Sequence, residues 1–290
     1  MMKQIVCIAG PTASGKSAFA VKLAKKCDGE VINADALQVY RQLHVLSARP
    51  DREEMDGIAH HLYGHINASV RYSTGMWLKE VDGLIIDILA RGKTPILVGG
   101  TGLYFKALTQ GLAKIPQPDE RAIMAAQNIL DEQGINALRA KAEELDPAAS
   151  QRVLGEDPQR LLRIVNVALG TGKPISVWQQ ETKPVLPRAT WRGIALLPKR
   201  EAVYAKINAR FSHMVENGGL EEARRVRALG LATDLPAMKA IGLRELTAHL
   251  DGQLTLDEAV ETAMRETRRF AKRQFTWIRG QMKNWEKIET

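Results

Sequence analysis

The chain has 290 residues, of which 45% are hydrophobic and 26% charged, a composition typical of a soluble α/β protein with room for an insertion. No apolar run approaches the roughly 18 residues that a membrane span needs, so we expect no membrane association and a cytoplasmic protein. The two cysteines, Cys7 and Cys27, lack metal-ligand spacing and are predicted to be reduced thiols. The formal net charge of +8 favours an anionic partner.

A phosphate-binding loop is predicted at residues 10–17, where GPTASGKS matches the pattern G-x-x-x-x-G-K-[ST]. An apolar run at residues 5–8 precedes the loop, and residues 18–26 have a helical pattern. Glycines let several backbone N–H groups face one anion, Lys16 adds a full positive charge, and the Ser17 hydroxyl can bind Mg²⁺. The loop predicts a phosphorylated ligand, but both an ATP-using kinase and a transferase that uses another diphosphate stay open.

The second predicted strand covers Glu30 to Ala34 and ends at Asp35. Ligands of open parallel sheets bind at the carboxyl ends of the strands, so Asp35 is expected to face the phosphate loop. The alternative is that Asp35 caps a following helix.

The next predicted strand, Thr94 to Val98, ends in Gly99-Gly100-Thr101-Gly102 rather than in a carboxylate. A motor ATPase would place a Mg²⁺-binding aspartate at such a position, so the sequence disfavours that class and leaves a small-molecule kinase open. Leu84 to Asp87 mimics a carboxylate-ending strand, but its periodicity predicts part of a helix over Tyr72–Ala90. His60 and His61 are predicted to be structural or solvated rather than metal ligands.

From Lys114 the pattern becomes helical, after the linker Ile115 to Pro118. Helices are predicted over 119–132, 136–145 and 157–169, and prolines at 184 and 187 close the segment. The predicted domains are therefore a P-loop core at 1–113 and 188–290, interrupted by a helical insertion at 114–187. The predicted fold class is α/β: a P-loop NTPase-like parallel sheet flanked by helices, with an all-helical insertion.

The C-terminal segment is strongly basic. A strand is predicted at 193–197, and helices at 201–217, 220–229 and from about 257 onward. Residues 265–287 contain eight basic and two acidic side chains, an excess of six positive charges. A solvated helix face would explain this charge, but the interleaved aromatic residues favour nucleic acid: Phe270, Phe275, Trp277 and Trp285.

Taken together, the motifs resemble one family, the tRNA dimethylallyltransferases, also called tRNA isopentenyltransferases. The matching pieces span nearly the whole chain: GPTASGKS (10–17), DALQVY (35–40), LVGGTGLYFKAL (97–108), DPQRLLR (157–163), KAIGLREL (239–246) and AKRQFTWIRG (271–280). The resemblance implies transfer of a dimethylallyl group from dimethylallyl diphosphate to N6 of the adenosine immediately 3′ of the tRNA anticodon. The products would be N6-isopentenyladenosine and diphosphate.

The same resemblance assigns roles to residues. The implied catalytic residues are Asp35, Thr101 and Arg210, and Ser17 would hold Mg²⁺. The implied diphosphate site is Gly10, Pro11, Thr12, Ala13, Ser14, Gly15, Lys16 and Ser17. The implied tRNA contacts are Asp35, Ala36, Leu37, Gln38, Thr101, Ile123, Gln159, Arg160, Leu161, Leu162, Arg163, Lys239, Ala240, Ile241, Gly242, Leu243, Arg244, Lys272, Arg273, Gln274, Phe275, Thr276, Trp277, Ile278 and Arg279.

Two departures from the family pattern stand out. Ala36 replaces a common serine, and Leu46-Ser47-Ala48-Arg49-Pro50 replaces a common Gly-Thr-Ala-Lys-Pro, which leaves the role of that loop open. The expected partners are dimethylallyl diphosphate and the tRNA anticodon stem-loop, with the protein as a monomer. A small-molecule kinase would leave the basic C-terminus unexplained, and a non-catalytic RNA-binding module would leave the phosphate loop and Asp35 without a role.

Overall fold

In the computed structural model, residues 3–289 are described, and the chain divides into two compact units. The first unit consists of Met1–Thr109 together with Leu186–Thr290, and the second is Gln110–Val185. The expected insertion at 114–187 differs from the second unit by four residues at one end and two at the other. Within residues 3–289, no helix combines the length and apolar character needed to cross a bilayer.

The first unit is built on a parallel sheet whose spatial order is β3-β2-β4-β1-β5-β6. The strands are β1 (Ile5–Ala9), β2 (Gly29–Asn33), β3 (His60–His61), β4 (Thr94–Gly99), β5 (Trp191–Leu196) and β6 (Glu286–Ile288). All residues of β1, β2 and β4 are buried, as expected for inner strands covered by helices on both faces. The carboxyl ends of these three strands meet at one edge and carry the predicted motifs.

The helices of the described chain follow in sequence order. They are α1 (Lys16–Cys27), α2 (Arg52–Met55), α3 (Thr74–Ala90), α4 (Gly102–Gln110), α5 (Glu120–Leu145), α6 (Pro147–Ser150), α7 (Pro158–Thr171), α8 (Ile175–Gln180), α9 (Arg200–Met214), α10 (Leu220–Arg227), α11 (Leu243–Leu250) and α12 (Leu256–Gln281). A π-helical turn, Val215–Gly219, joins α9 to α10. The predicted α/β class with a P-loop type sheet is confirmed.

Most predicted elements agree with the structure, and the exceptions have local causes. The strand-like segment Leu84 to Asp87 lies inside α3, as its periodicity indicates. The two helices predicted on either side of residue 134 form one element, α5, with a break at Gly134, whose φ is 82°. The short edge strands β3 and β6 were not predicted, because two or three residues carry no readable alternation.

Two of the four aromatic residues near the C-terminus are buried, contrary to the expectation that they would meet nucleic acid. Phe275 is 1% exposed and Trp285 is 9% exposed, so both are core residues rather than platforms for stacking bases. Helix α12 ends at Gln281, and β6 then pairs with β5 along the sheet edge. Lys287 therefore lies on a strand and not on the basic helix. Of the four interleaved aromatics, Phe270 and Trp277 remain partly exposed.

The second unit has its own core, formed chiefly where α5 packs against α7. Leu138 of α5 and Leu161 of α7 are both fully buried. Asp146 is 1% exposed and accepts hydrogen bonds from the N–H groups of Ala149 at 2.9 Å and Ser176 at 2.8 Å. Because this carboxylate satisfies two helix N-termini at once, it fixes the ends of α6 and α8.

Gly99 at the end of β4 is a position where a side chain cannot be accommodated. A Cβ atom placed there would lie 2.0 Å from the Ala34 carbonyl oxygen, a backbone atom held in place because the Ala34 N–H donates to the Val98 carbonyl. We expect Gly99→Ala to lower the free energy of unfolding by about 3 kcal/mol or more, measured by urea denaturation. Gly83→Ala is the matched control, since no atom lies within 4 Å of a Cβ in the middle of α3. Equal stability of the two variants would contradict this prediction.

Candidate active site

The phosphate loop has the geometry of an anion-binding site. Ala13 and Gly15 have positive φ values of 61° and 81°, which turn successive N–H groups toward one side. Ser14 is 4% exposed, and its hydroxyl has no hydrogen-bond partner within residues 3–289. Four backbone N–H groups of the loop also lack a partner in the described chain, those of Ala13, Gly15, Lys16 and Ser17. Donors without partners at a helix N-terminus are the groups that a phosphorylated ligand would use.

Two cations accompany the loop. Burial lowers the pKa of Lys16 to about 8, with Asp35 opposing the shift and Arg210 adding to it. Burial also lowers the pKa of Arg210, again opposed by Asp35. The Arg210 guanidinium donates a hydrogen bond to the Thr12 hydroxyl, so it is attached directly to the phosphate loop. An anion bound here would compensate both desolvated charges.

Asp35 is held at the end of β2 by its neighbours. The side chain of Asn33, fully buried, accepts from the Asp35 N–H at 2.8 Å and donates to the Asp35 carbonyl at 3.0 Å. The Asp35 Oδ1 atom accepts from the Leu37 N–H at 3.0 Å, and residues 36–39 form a turn rather than a helix. The helix-cap alternative for Asp35 is therefore wrong. The carboxylate lines the cavity described below.

Thr101 lies beside Asp35 on the turn that follows β4. Its hydroxyl accepts a hydrogen bond from the Ala36 N–H at 2.9 Å, and its own N–H donates to the Ala34 carbonyl at 3.2 Å. A Cβ at Gly102 would lie 2.0 Å from Nε1 of Trp277, so the turn packs directly against α12. These hydrogen bonds hold the end of β2 to the end of β4, so Asp35 and Thr101 lie at neighbouring strand ends.

The side chain of Gln274 on α12, an expected RNA contact, is hydrogen-bonded within the protein and also lines the cavity described below. Its side chain is 6% exposed, Oε1 accepts from the Thr12 N–H at 2.8 Å, and Nε2 donates to the Gly100 carbonyl at 3.0 Å. A buried amide that is hydrogen-bonded to two backbone groups stabilises the local structure. The sequence did not reveal this bridge, because its two partners lie far away along the chain.

These loops open onto a cavity of about 570 Å³ at the carboxyl ends of the strands. Its polar wall includes Thr12, Asp35, Thr101 and Arg210, and most of the remaining lining is apolar. Ile207, Phe211 and Met214 of α9 lie on the same face of the helix as Arg210 and supply part of the apolar wall. These three residues were not among the sequence-based candidates, although positions 207, 210, 211 and 214 repeat at the spacings of three and four that mark one helix face.

The loop with the unusual sequence, residues 46–50, also contributes to the cavity. Leu46, Ser47 and Ala48 line it. Glu222 of α10 is 2% exposed and accepts from the N–H groups of His44, Val45 and Leu46 at 2.8, 2.9 and 2.9 Å. One buried carboxylate therefore fixes the wall of the cavity through the backbone.

The predicted RNA-contacting segments separate into exposed and buried positions. Exposed side chains in the first unit are Lys239, Arg244, Lys272, Arg273, Thr276 and Arg279, and in the second unit Ile123, Gln159, Arg160 and Arg163. Buried positions are Leu161, Ala240, Gly242, Leu243, Gln274, Phe275 and Ile278. RNA contact through the side chains of Leu161, Ala240, Leu243 and Phe275 is excluded by their core positions, since each is at most 1% exposed. The side-chain amide of Gln38 is hydrogen-bonded within the protein, since it donates to the carbonyls of Ser47 and Ala48.

The two adjacent histidines have structural partners. His60 Nδ1 lies 2.8 Å from the Ile58 carbonyl oxygen, and His61 Nε2 lies 2.7 Å from Glu30 Oε2. Arg91 and Lys93 also contact the Glu30 carboxylate. These contacts hold the pKa of Glu30 at about 2, with the Arg91 hydrogen bond as the largest cause. Within residues 3–289, no three His, Cys, Asp or Glu side chains are grouped as a metal site.

A parallel sheet, a phosphate loop with desolvated cations, and a carboxylate at the edge of an apolar cavity define a P-loop enzyme.

Comparison with known proteins gives the family. The model of the family "IPP transferase" matches residues 38–281, and the model "Isopentenyl transferase" matches residues 3–67. The chain therefore belongs to the IPP transferase family. The tRNA dimethylallyltransferase of Maricaulis maris is 50% identical over 289 residues, covering 100% of this chain and 94% of the relative. That of a Caulobacter species is 48% identical over 287 residues, covering 99% and 93% of the two chains.

Solved structures agree. The tRNA isopentenylpyrophosphate transferase of Bacillus halodurans is 34% identical with a TM-score of 0.70, covering 99% of this chain and 90% of its own. A eukaryotic dimethylallyltransferase solved while acting on tRNA is 28% identical with a TM-score of 0.81, covering 95% of this chain and 70% of its own.

Proposed function

We propose that this protein transfers a dimethylallyl group from dimethylallyl diphosphate to N6 of the adenosine immediately 3′ of the anticodon of tRNA. The observation that carries the proposal is that Thr12 of the phosphate loop and Asp35 line one cavity that is mostly apolar. The apolar wall suits a five-carbon hydrocarbon, and relatives named tRNA dimethylallyltransferase match along the whole chain. A small-molecule kinase would leave the apolar wall without a role.

The donor's diphosphate would bind at the four free N–H groups of the loop. As the bond between the allylic carbon and the bridging oxygen breaks, negative charge builds up on that oxygen. Arg210 is hydrogen-bonded to the loop through the Thr12 hydroxyl, and its charge helps to lower the pKa of Lys16, so both cations belong to the same site. Their positive charges would stabilise the leaving diphosphate.

The acceptor adenine would have to leave the base stack to reach Asp35. Its N6 atom forms the new bond to the allylic carbon while diphosphate leaves, and one N6 proton passes to the Asp35 carboxylate. The Thr101 hydroxyl accepts a hydrogen bond from the Ala36 N–H, and Thr101 lines the cavity together with Asp35. Its hydroxyl would therefore orient the amine. Neither group needs to move, since both are attached to strand ends.

A magnesium ion fits the site only together with the donor. Mg²⁺ commonly takes one or two protein oxygens and completes its shell with phosphate oxygens and water. The half-buried Ser17 hydroxyl in the first turn of α1 is the protein oxygen that the loop offers. Bound there, Mg²⁺ would neutralise charge on the diphosphate.

Basic side chains on α12 and α7 would hold the anticodon stem-loop through its phosphates. Lys272 and Arg273 are exposed on α12, and Arg160 and Arg163 are exposed on α7. Two double variants, Lys272→Ala with Arg273→Ala and Arg160→Ala with Arg163→Ala, should each raise the KM for tRNA. The KM for dimethylallyl diphosphate should stay nearly unchanged for the α7 pair. The α12 pair is not used for this comparison, because Arg273 also lines the cavity.

The phosphate contacts of these variants are measured through the salt dependence of their affinity for RNA. Removal of one phosphate-binding side chain should lower the slope of log K against log salt by about 0.7–0.9. Glu221→Ala with Arg224→Ala is a control, because these exposed residues of α10 pair with each other. If the affinity of both test pairs equals wild type at every salt concentration, the helices are solvated faces and RNA binds elsewhere.

The transfer reaction itself is tested with purified protein, labelled dimethylallyl diphosphate and bulk tRNA. Label in tRNA, recovered after digestion as N6-isopentenyladenosine, is the expected result. Labelled ATP in place of the prenyl donor tests the kinase alternative. Phosphoryl transfer from ATP without prenyl transfer would overturn the proposal.

A further inference from the structure

The orientation of the Gln274 amide is fixed by its partners. The Thr12 N–H can only donate and the Gly100 carbonyl can only accept, so Oε1 must face the phosphate loop and Nε2 the turn after β4. A Cβ at Gly100 would lie 2.3 Å from Nε2, which places the amide directly on this glycine. Side chain and turn are therefore matched in shape as well as in hydrogen bonding.

The contacts of Gln274 continue on both sides into groups that the reaction uses. On the donor side, Thr12 receives the hydrogen bond of Arg210 through its hydroxyl. On the acceptor side, Gly100 is followed by Thr101, whose hydroxyl receives the Ala36 N–H next to Asp35. Gln274 thus joins the loop that would hold the leaving group to the turn that would hold the amine.

We propose that Gln274 is a positioning residue that sets the spacing between the phosphate loop and the Thr101 turn. This inference rests on the proposed function, because only a two-substrate transfer needs that spacing. Displacement at the allylic carbon requires the amine and the leaving oxygen on opposite sides of one atom. A residue that is hydrogen-bonded to the backbone of both loops fixes this alignment.

Gln274→Met tests the inference, since methionine has a similar length and forms neither hydrogen bond. We expect kcat to fall about 10²-fold, as a small misplacement of reacting groups can cost that much. The KM for tRNA should change by less than about threefold, because the exposed cations of α12 are untouched. The control is Gln42→Met, which removes a comparable 2.9 Å bond from the Ala68 N–H to Gln42 Oε1 outside the cavity lining.

Gln274→Glu supplies a readout that a purely structural role would not give. An ionised carboxylate can still accept from the Thr12 N–H but repels the Gly100 carbonyl. A protonated carboxyl can accept from Thr12 and donate to Gly100, as the native amide does. Burial favours the protonated form, so kcat relative to wild type should rise as the pH is lowered from about 8.5 to about 6.

The outcomes separate this inference from the proposed function. If wild-type protein transfers no prenyl group to tRNA, the proposed function fails. If wild type is active and Gln274→Met stays within about threefold of its kcat, the positioning role is wrong. A pH-independent ratio for Gln274→Glu would overturn it as well. If thermal unfolding shows that Gln274→Met does not fold, the positioning role is tested by how the kcat of Gln274→Glu relative to wild type changes with pH.

Discussion

Asp35→Asn is expected to lower kcat for prenyl transfer by about 10²–10⁴-fold, the range that general-base catalysis contributes. Asparagine keeps an oxygen that can accept from the Leu37 N–H, so the turn at the end of β2 should be retained. What it loses is the ability to take the N6 proton. The affinity for the prenyl donor should change little, and single-turnover rates of dimethylallyl transfer measure the effect.

Asp119→Asn provides the control for this variant. Asp119 also accepts a backbone hydrogen bond through Oδ1, from the Ala122 N–H at 2.8 Å, but it lies in the second unit on an exposed helix end. Its replacement should leave the rate unchanged. An Asp35→Asn rate within about threefold of wild type would show that Asp35 is only a turn residue.

Lys16→Ala is expected to reduce kcat/KM for dimethylallyl diphosphate by about 10²–10³-fold while RNA affinity largely survives. The lysine belongs to the phosphate loop, whereas the exposed cations assigned to RNA lie on other helices. Lys22→Ala on the exposed side of α1 removes the same charge without touching the loop and serves as the control. An equal loss of RNA affinity and turnover would contradict this separation.

The pH dependence of donor binding follows from the same residue. Burial lowers the pKa of Lys16 to about 8, so the ammonium loses its proton as the pH rises through that value. A bound diphosphate favours the charged form, and therefore the KM for the donor should increase above about pH 8. In Lys16→Ala this increase should be absent. A wild-type KM that is flat across that range would show that Lys16 does not bind the donor as a cation.

The four longer strands could be predicted from the sequence, and so could the positions of the phosphate loop and Asp35 at strand ends, because local patterns encode them. The phosphate loop needs glycine at positive φ, and an apolar run followed by Asp35 is readable without any partner strand. Gln274 could not be assigned in this way, since its position in the KRQ motif indicated RNA while its partners are Thr12 and Gly100. The prediction of an exposed Phe275 is wrong for a similar reason: α12 packs against α9 there, and a covering helix cannot be seen in the local charge pattern.

The hydrogen bonds that Glu222 accepts from residues 44–46 have a consequence for the evolution of this enzyme. A carboxylate that binds three consecutive N–H groups recognises backbone and is indifferent to the side chains that the backbone carries. Leu46 can therefore be exchanged without releasing the loop, whereas the Ser47 hydroxyl donates hydrogen bonds of its own to the carbonyls of Leu43 and His44. Substitutions at Leu46 can resize that side of the cavity, and a library at this position is where acceptance of longer prenyl donors would first emerge.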